Sequence, residues 1–532
     1  MNPAPGTTPV IVGVGQASDP LDSADYRFWS SADLAAAAGR AAIEDAAGSP
    51  GRVSTAIDVL AGIRPFELSG PVEPPLGGAS NYPRAVCRRI GIDPPRAVLE
   101  MVGGQSPQHL VTEFSGRIAR GECDAVLITG GEALSTGAHF ADRNDRPDFT
   151  DRTGGPLEDR GAGWDYYLDD NLLTHELFSA PAAYALVDTA RRAALGMDPA
   201  AYRRAIGELF APFTEVAAGN PLAAVRRAFT AEELATVTPD NRMVWSPYPR
   251  RTIAREKVNL GAAVLLMSQD AARAAGVPRE RWVYLHGHAD VTDLPLLERP
   301  RLDRGTAAVD AVSTALDMAG IGVDDVTTFD LYSCFAAPVF AVLDGLGLRV
   351  DDPRRFTVTG GLPFFGGPGN GYSTHAIAET VSALRAAGGG YGLVGANGGI
   401  LDKYSVGIYS PDPRPWCGGD PARARALTGP AARVSSPTAQ VSGPAARVPD
   451  PASRRPVARH AEGSARIESY TVHHGSGGPD RGIMIGSLHA DGSRFLAFLS
   501  EELTELSVRE ELVGRDVVVR ANGPRNVARP VV

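Results

Sequence analysis

The residues from Gly360 to His375, GGLPFFGGPGNGYSTH, constrain the fold of this chain most. Six glycines and two prolines in sixteen residues exclude a helix or strand interior, because glycine loses backbone entropy there and proline removes a donor. The stretch is a shaped loop. It runs into AIAETVSALRAA, in which Ile377, Val381 and Leu384 recur at helical spacing and predict a buried helix. Free backbone N–H groups at such a helix start can hold an anion or a developing oxyanion. The same composition also serves a tight connection, so the neighbouring segments decide what the loop does.

Around this loop, strand and helix patterns alternate. Residues 10–14 (VIVGV) form a short apolar strand, residues 31–47 an Ala-rich helix with Asp33 near its start and Gly48 beyond its end, and residues 56–62 a second strand. This opening predicts a parallel sheet covered by helices. At 97–134 a strand passes through Gly103 and Gly104 to Ser106-Pro107, which suits the N-cap and first position of a helix, and another strand ends on GGE. The pattern loosens between about 143 and 255, read as an excursion over one sheet face, and resumes from residue 258 to residue 409. The two halves repeat one plan.

The expected units are residues 1–255 with an inserted region at about 135–255, residues 256–410, and a linker rich in Pro, Ala, Arg and Ser at 411–463 in which GPAARV occurs twice. Residues 464–532 follow with four or five short strands, a small antiparallel β domain.

A chain of 532 residues is long enough for several packed units, and its 43% apolar and 21% charged residues suit a globular protein. The net charge of −10 argues against a nucleic-acid partner. Cys87, Cys123, Cys334 and Cys417 are too sparse to staple the chain and read as reduced thiols. No apolar run is long enough to span a membrane, and no signal segment opens the chain, which predicts a cytoplasmic protein.

Taken in order, VIVGVGQ, GGQSPQ, DAVLITGGEAL, NPLAAVRRAF, VNLGAAVLLMS, DLYSCFA, GGLPFFGGPGNGYSTHAIAETV and GANGG resemble the thiolase superfamily. They are most similar to sterol-carrier-type thiolases and to the acetyl-CoA acetyltransferase-like group of thiolase-like proteins type 1. The resemblance spans about residues 10–410, and the tail resembles that group's additional C-terminal OB-like barrel. It implies an α/β fold: a duplicated five-layer αβαβα thiolase fold with an inserted loop domain, plus the barrel. It also implies coenzyme A thioesters as substrates or ligands, with no further cofactor and no metal. A homodimer or a partner protein reached through the barrel is the implied assembly.

The chemistry of that family is altered here. The nucleophilic Cys expected at the head of the helix is replaced by Gly103, Gly104, Gln105 and Ser106. The Gly-His-Pro histidine is replaced within Gly366-Gly367-Pro368, the oxyanion motif reads Tyr332-Ser333-Cys334, and the second Cys is absent from Gly395-Ala396-Asn397-Gly398. Ping-pong acyl transfer needs a nucleophile, a base and an acid, and none stands in its expected place.

The candidates that remain are His375, Tyr332 and Asn397 for catalysis, with Ser106, Cys334, Gly366, Gly367, Asn370 and Gly398 for binding. Ser106 reads equally as a helix cap, His375 as a helix-terminal histidine, Cys334 and His109 as core residues. His286 and His288 lack a third metal ligand. Three functions follow from the resemblance: non-standard C–C bond chemistry of retro-aldol or retro-Claisen type in lipid or sterol metabolism, non-catalytic acyl-CoA or lipid binding, or acetyl-CoA C-acyltransferase activity.

Overall fold

The computed structural model describes residues 6–70, 73–163, 169–416 and 453–531. Most of the expected linker, both GPAARV copies and Cys417 lie outside the described residues.

The first sheet joins β1 (Pro9–Ser18), β2 (Val59–Gly62), β3 (Arg96–Leu99), β4 (Ala125–Ala133), β5 (Glu158–Asp159) and β8 (Asn259–Ser268) in the order β1-β8-β4-β2-β3-β5. Strands β4, β2, β3 and β5 run parallel, and β8 is antiparallel to both its neighbours. The second sheet joins β9 (Tyr284–Thr292), β10 (Val326–Leu331), β11 (Tyr391–Gly398) and β12 (Lys403–Ser410) in the order β10-β11-β12-β9. A bridge between Ile11 and Val283 links the two sheets.

Helices Ser106–Ala119 and Tyr372–Ala387 lie between the sheets and touch strands of both, burying Leu110, Phe114 and Ile118 on one and Ile377, Val381 and Leu384 on the other. Helix Ser31–Asp45 covers the far face of the first sheet and helix Thr306–Ala319 that of the second. The result is the expected five-layer αβαβα fold. Small residues allow the outer layers to approach: a Cβ on Gly13 would stand 2.0 Å from the Ala42 carbonyl oxygen, and one on Gly287 2.0 Å from that of Ala315. These two contacts occupy corresponding places in the two halves, the packing counterpart of the repeated plan.

The inserted region contributes helices Ala180–Ala194 and Pro199–Gly219. Asp188 anchors the first of them from within. Its carboxylate accepts from the Tyr202 hydroxyl (2.5 Å), from the Tyr248 hydroxyl and from the Ala337 amide (3.1 Å) at the start of helix Ala336–Leu346. Burial pushes the Asp188 carboxyl up to about 6, although the two phenols and Arg191 pull it back.

The C-terminal barrel is closed by β13 (Gly463–Gly475), β14 (Gly478–Leu488), β15 (Arg494–Leu499), β16 (Asp516–Asn522) and β17 (Arg525–Pro530). It departs from the expected all-antiparallel order at one place. Strands β15 and β17 pair parallel, because helix Glu501–Leu506 carries the chain across before the β16–β17 hairpin returns it. The barrel is also no loosely tethered appendage, as its linker-like approach predicts. Strand β13 pairs with β6 (Met243–Trp245), which itself pairs with β7 (Tyr248–Pro249), so one sheet spans barrel and inserted region. Across this joint the Ser469 hydroxyl donates to the Leu186 carbonyl (2.6 Å), the Asn526 amide to His175 Nε2 (3.0 Å), and the buried Arg494 guanidinium to the carbonyls of Leu297 (3.0 Å) and Arg299 (2.5 Å).

Two outcomes follow. Arg494→Ala strands two buried carbonyls and leaves the Glu468 carboxylate only its Arg455 partner, and is expected to lower stability by about 3 kcal/mol, measured by denaturant unfolding; a change within 0.5 kcal/mol removes the joint from the stability argument. Asp188 holds its proton more tightly folded than unfolded, so its contribution is present below about pH 4 and is lost as pH rises through about 6. Asp188→Asn should therefore flatten the fall in melting temperature between pH 4 and pH 7, and an unchanged slope would contradict the assignment.

Candidate functional site

The two central helices meet start to start. Asn370 in the glycine loop accepts from the Gly103 amide through Oδ1 (2.9 Å) and donates to the Arg64 carbonyl through Nδ2 (2.8 Å). One residue beyond the helix start, the Ser373 hydroxyl donates to the Gly104 carbonyl (2.8 Å). The loop's approach is fixed by the buried Asp330 carboxylate, which accepts from the hydroxyls of Thr357 (2.9 Å), Thr359 (2.9 Å) and Tyr372 (2.8 Å). The candidate residues lie along this seam.

Several of them have structural work there. The residue before the helix is Gln105, not Ser106, and no side chain caps it. Ser106 turns its hydroxyl back onto the Met101 carbonyl (3.0 Å), a donor's role, which replaces the expected cap. The amides of the glycine loop are satisfied within the protein: Gly367 donates to the Arg255 carbonyl, Gly369 to Gly367 and Gly371 to Pro368, each at 2.8 Å. Gly366, at φ 127°, and Gly367 thus shape the backbone against residues 255–258. Gly398 leaves room for the Gln105 amide, since a Cβ there would lie 1.8 Å from Gln105 Oε1.

The three expected catalytic residues fall into two groups. His375 is buried, donates through Nδ1 to Gln16 Oε1 (2.6 Å) and sets its ring edge on Phe365. Gln16 in turn donates to Glu379 (3.0 Å). Burial alone pulls the His375 imidazole down to about 3, so at neutral pH it is uncharged and has no proton to give from Nε2. It lines a crevice with Gly131, Glu132, Pro368 and Gly371, too narrow to admit a water molecule. Burial, reinforced by Glu67, holds the Glu132 carboxyl well above the usual carboxylate range.

Tyr332, Cys334 and Asn397 form the second group, joined by Tyr184 from the inserted region. Asn397 Nδ2 donates to the Tyr184 hydroxyl (2.6 Å), which donates to the Gly399 carbonyl (2.7 Å). Because the one phenolic proton goes to Gly399, Asn397 must present its amide nitrogen to Tyr184. The Tyr184 ring stacks on Phe335 at 4.8 Å. Tyr332 packs on Tyr372 at 5.5 Å, with its hydroxyl against Gly104, where a Cβ would stand 2.2 Å away. Burial raises both phenols above their ordinary value.

Burial likewise pushes the Cys334 thiol up to about 12, although the Tyr184 hydroxyl and the Asn397 amide beside its sulfur pull it back. At pH 7 the group therefore stands as the thiol, and the thiolate is the reactive form. The groups that meet here can donate and accept hydrogen bonds around a polar ligand oxygen. They include no nucleophile beside a base.

Tyr184 and Gln16 were not among the candidates. Tyr184 lies in APAAYALVDTARRAA, where an aromatic at helical spacing reads as core. A cue existed for Gln16, a polar residue at the end of the apolar strand VIVGVG. Elsewhere, Glu100, His109 and Glu113 approach within 4.8 Å of one another, but Arg160 donates to both carboxylates (2.5 Å and 2.6 Å) and takes the place a cation would need. Against the cost of burial, Asp290, with Glu100 and Glu113, raises His109 to about 9 and keeps it protonated.

Cys334 should therefore resist chemistry. Incubation with acetyl-CoA followed by intact-protein mass spectrometry is expected to give no acetyl adduct on Cys87, Cys123 or Cys334, and one stable acetyl-cysteine would refute that.

A family profile described as "Thiolase-like protein type 1 additional C-terminal domain" matches residues 446–524. The curated 3-ketoacyl-CoA thiolase of Salmonella newport is 31% identical over 150 residues, 25% of this chain and 33% of that protein, so the match spans only a third of such relatives. The Ltp2-ChsH2(DUF35) aldolase shares the fold at a TM-score of 0.56 and 19% identity, over 76% of this chain and 98% of its own. The solved monomeric SCP2-thiolase-like protein type 1 from Mycobacterium smegmatis is 44% identical with a TM-score of 0.81, over 99% of this chain and 100% of its own. With its barrel, its five layers and this end-to-end identity, the chain belongs to the SCP2-thiolase-like proteins type 1 within the thiolase superfamily.

Proposed function

We propose that this protein binds an acyl-CoA thioester on the thiolase scaffold without taking the acyl group onto itself. The observation that carries the reading is the protonation state along the seam. The Cys334 thiol, the Tyr184 and Tyr332 phenols and the His375 imidazole are all uncharged at neutral pH. Such groups suit recognition of a neutral thioester head by hydrogen bonds, and they lack the thiolate on which ping-pong transfer depends.

Charge at the edge of the seam supports the ligand class. Arg250, Arg255 and Lys257 are exposed, and the Arg255 backbone exchanges hydrogen bonds with Leu362 and Gly367 of the glycine loop. Partial desolvation and the neighbouring Arg250 both lower the Arg255 guanidinium below its usual value. Three exposed cations in a chain of net charge −10 are suited to the phosphates of coenzyme A.

A second reading is non-covalent C–C bond cleavage of retro-aldol or retro-Claisen type. It is favoured by the grouping of Tyr332, Tyr184 and Asn397, since phenol and amide donors can stabilise an enolate oxygen without a covalent step. A partner protein reached through the barrel, lipid metabolism and a cytoplasmic setting belong to the proposal in the same sense.

Calorimetric titration with acetyl-CoA tests the first reading, with thiolysis of acetoacetyl-CoA followed in parallel. Binding without turnover is expected, and Arg255→Glu should weaken it about tenfold at low salt. Thiolysis through an acyl-cysteine, or no binding at all, would defeat it.

A further inference from the structure

Tyr184 fills the polar heart of the seam with a hydroxyl supplied by the protein itself. That hydroxyl accepts from Asn397 Nδ2 at 2.6 Å, donates to the Gly399 carbonyl at 2.7 Å and lies beside the Cys334 thiol. On the other side of the same amide, Asn397 Oδ1 is buried without a hydrogen-bond partner, and so is Gln105 Oε1, which packs over Gly398. Acceptors that want a proton therefore flank β11 here: the Gly399 carbonyl, already served by a hydroxyl, and the unserved amide oxygens of Asn397 on one face and Gln105 on the other.

On this basis, and resting on the acyl-CoA reading above, we infer that the subsite at Asn397 selects a thioester whose acyl chain carries a hydroxyl, a 3-hydroxyacyl thioester, over its 3-keto counterpart, with Tyr184 as the built-in occupant that such a ligand displaces. The reason is hydrogen-bond balance. A ligand hydroxyl can take over both bonds of the Tyr184 hydroxyl, or donate to one of the unserved amide oxygens. A ketone oxygen can only accept, so it leaves the Gly399 carbonyl without a donor and turns a second acceptor towards Asn397 Oδ1. An unpaired buried carbonyl weakens binding roughly tenfold or more.

The position of Tyr184 is set from outside the seam. Its helix is held by Ser469 at the Leu186 carbonyl, by the Arg192–Glu511 pair and by Asp188, so the backbone from which the phenol projects stays in place while the side chain turns. Gly104 and Gly398, where any side chain would collide with Tyr332 or Gln105, keep the floor of the subsite at backbone level.

The test compares 3-hydroxybutyryl-CoA, acetoacetyl-CoA and coenzyme A by calorimetric titration of the full chain and of Tyr184→Phe and Tyr184→Ala. The hydroxy ester is expected to bind at least tenfold more tightly than the keto ester. Tyr184→Phe keeps the stack on Phe335 and should bind the hydroxy ester several-fold more tightly than the unaltered protein, because no internal hydrogen bonds have to be exchanged. Equal affinity for the two esters overturns the inference and leaves acyl-CoA binding standing.

A ligand-independent readout separates the two claims. Modification of Cys334 by methyl methanethiosulfonate, followed by peptide mass spectrometry, should be at least tenfold faster in Tyr184→Ala than in the unaltered protein. An unchanged rate refutes Tyr184 as the occupant. A faster rate with no binding of any coenzyme A compound refutes the ligand class and, with it, the acyl-CoA reading.

Discussion

Everything in the central layer depends on how two helix starts are brought face to face. Each presents unpaired amides and the positive end of its dipole, which repel unless something lies between them. Here the answer is polar side chains from the second half: Asn370 takes the Gly103 amide and Ser373 serves the Gly104 carbonyl, so the second half ties down the backbone that leads into the first half's helix. The glycine loop delivers Asn370 to that place, and the buried Asp330 on β10 holds both ends of the loop through Thr359 and Tyr372. Once these backbone ends are served, the two sheets can close on their helices.

The same economy governs the chemistry that is left. In a site that must keep a charged nucleophile, burial is offset by a base or a cation beside it. Along this seam burial is left unopposed at His375 and dominates at Cys334 and Tyr332, and every one of these groups relaxes to its neutral form. Strong ionic work is displaced to the flank, where Arg160, Glu113, His109 and Asp290 make a charged cluster in which opposite charges face one another. The molecule thus separates a neutral interior seam from an ionic network a turn away on the same helix.

Much of this was legible in the residues. Periodicity located the central helices through Leu110, Phe114 and Ile118 and through Ile377, Val381 and Leu384, the repeated strand and helix plan pointed to a duplicated α/β unit, and the resemblance to the thiolase superfamily supplied its five layers. The close approach of the outer helices was readable only in part, since Gly13 and Gly287 announce small size but not what they face. Ser106 misled because Ser-Pro is a good capping pair in isolation, while the hydroxyl found the nearer Met101 carbonyl. The neighbours of the candidate residues were not legible. Tyr184 and Gln16 reach the seam over long stretches of chain, and only tertiary packing decides that His375 meets Gln16 while Asn397 meets Tyr184. The closeness of barrel and body escaped for the same reason, because β6 is three residues long and carries no strand signal by itself.

The pairing of β6 with β13 also sets an order of events during synthesis. Ser246 and His474, which touch across that joint, are 228 positions apart in the chain. At ribosomal rates of 5–20 residues per second, the inserted region has to wait roughly 10–50 s after its own emergence before the strand that completes its sheet exists. Through that interval the edge of β6 and the outer face of helix Ala180–Ala194 stand open to other chains. A nascent thiolase-like body of this kind therefore reaches its final form from the tail inward, and its exposure to aggregation is greatest while the last domain is still being made.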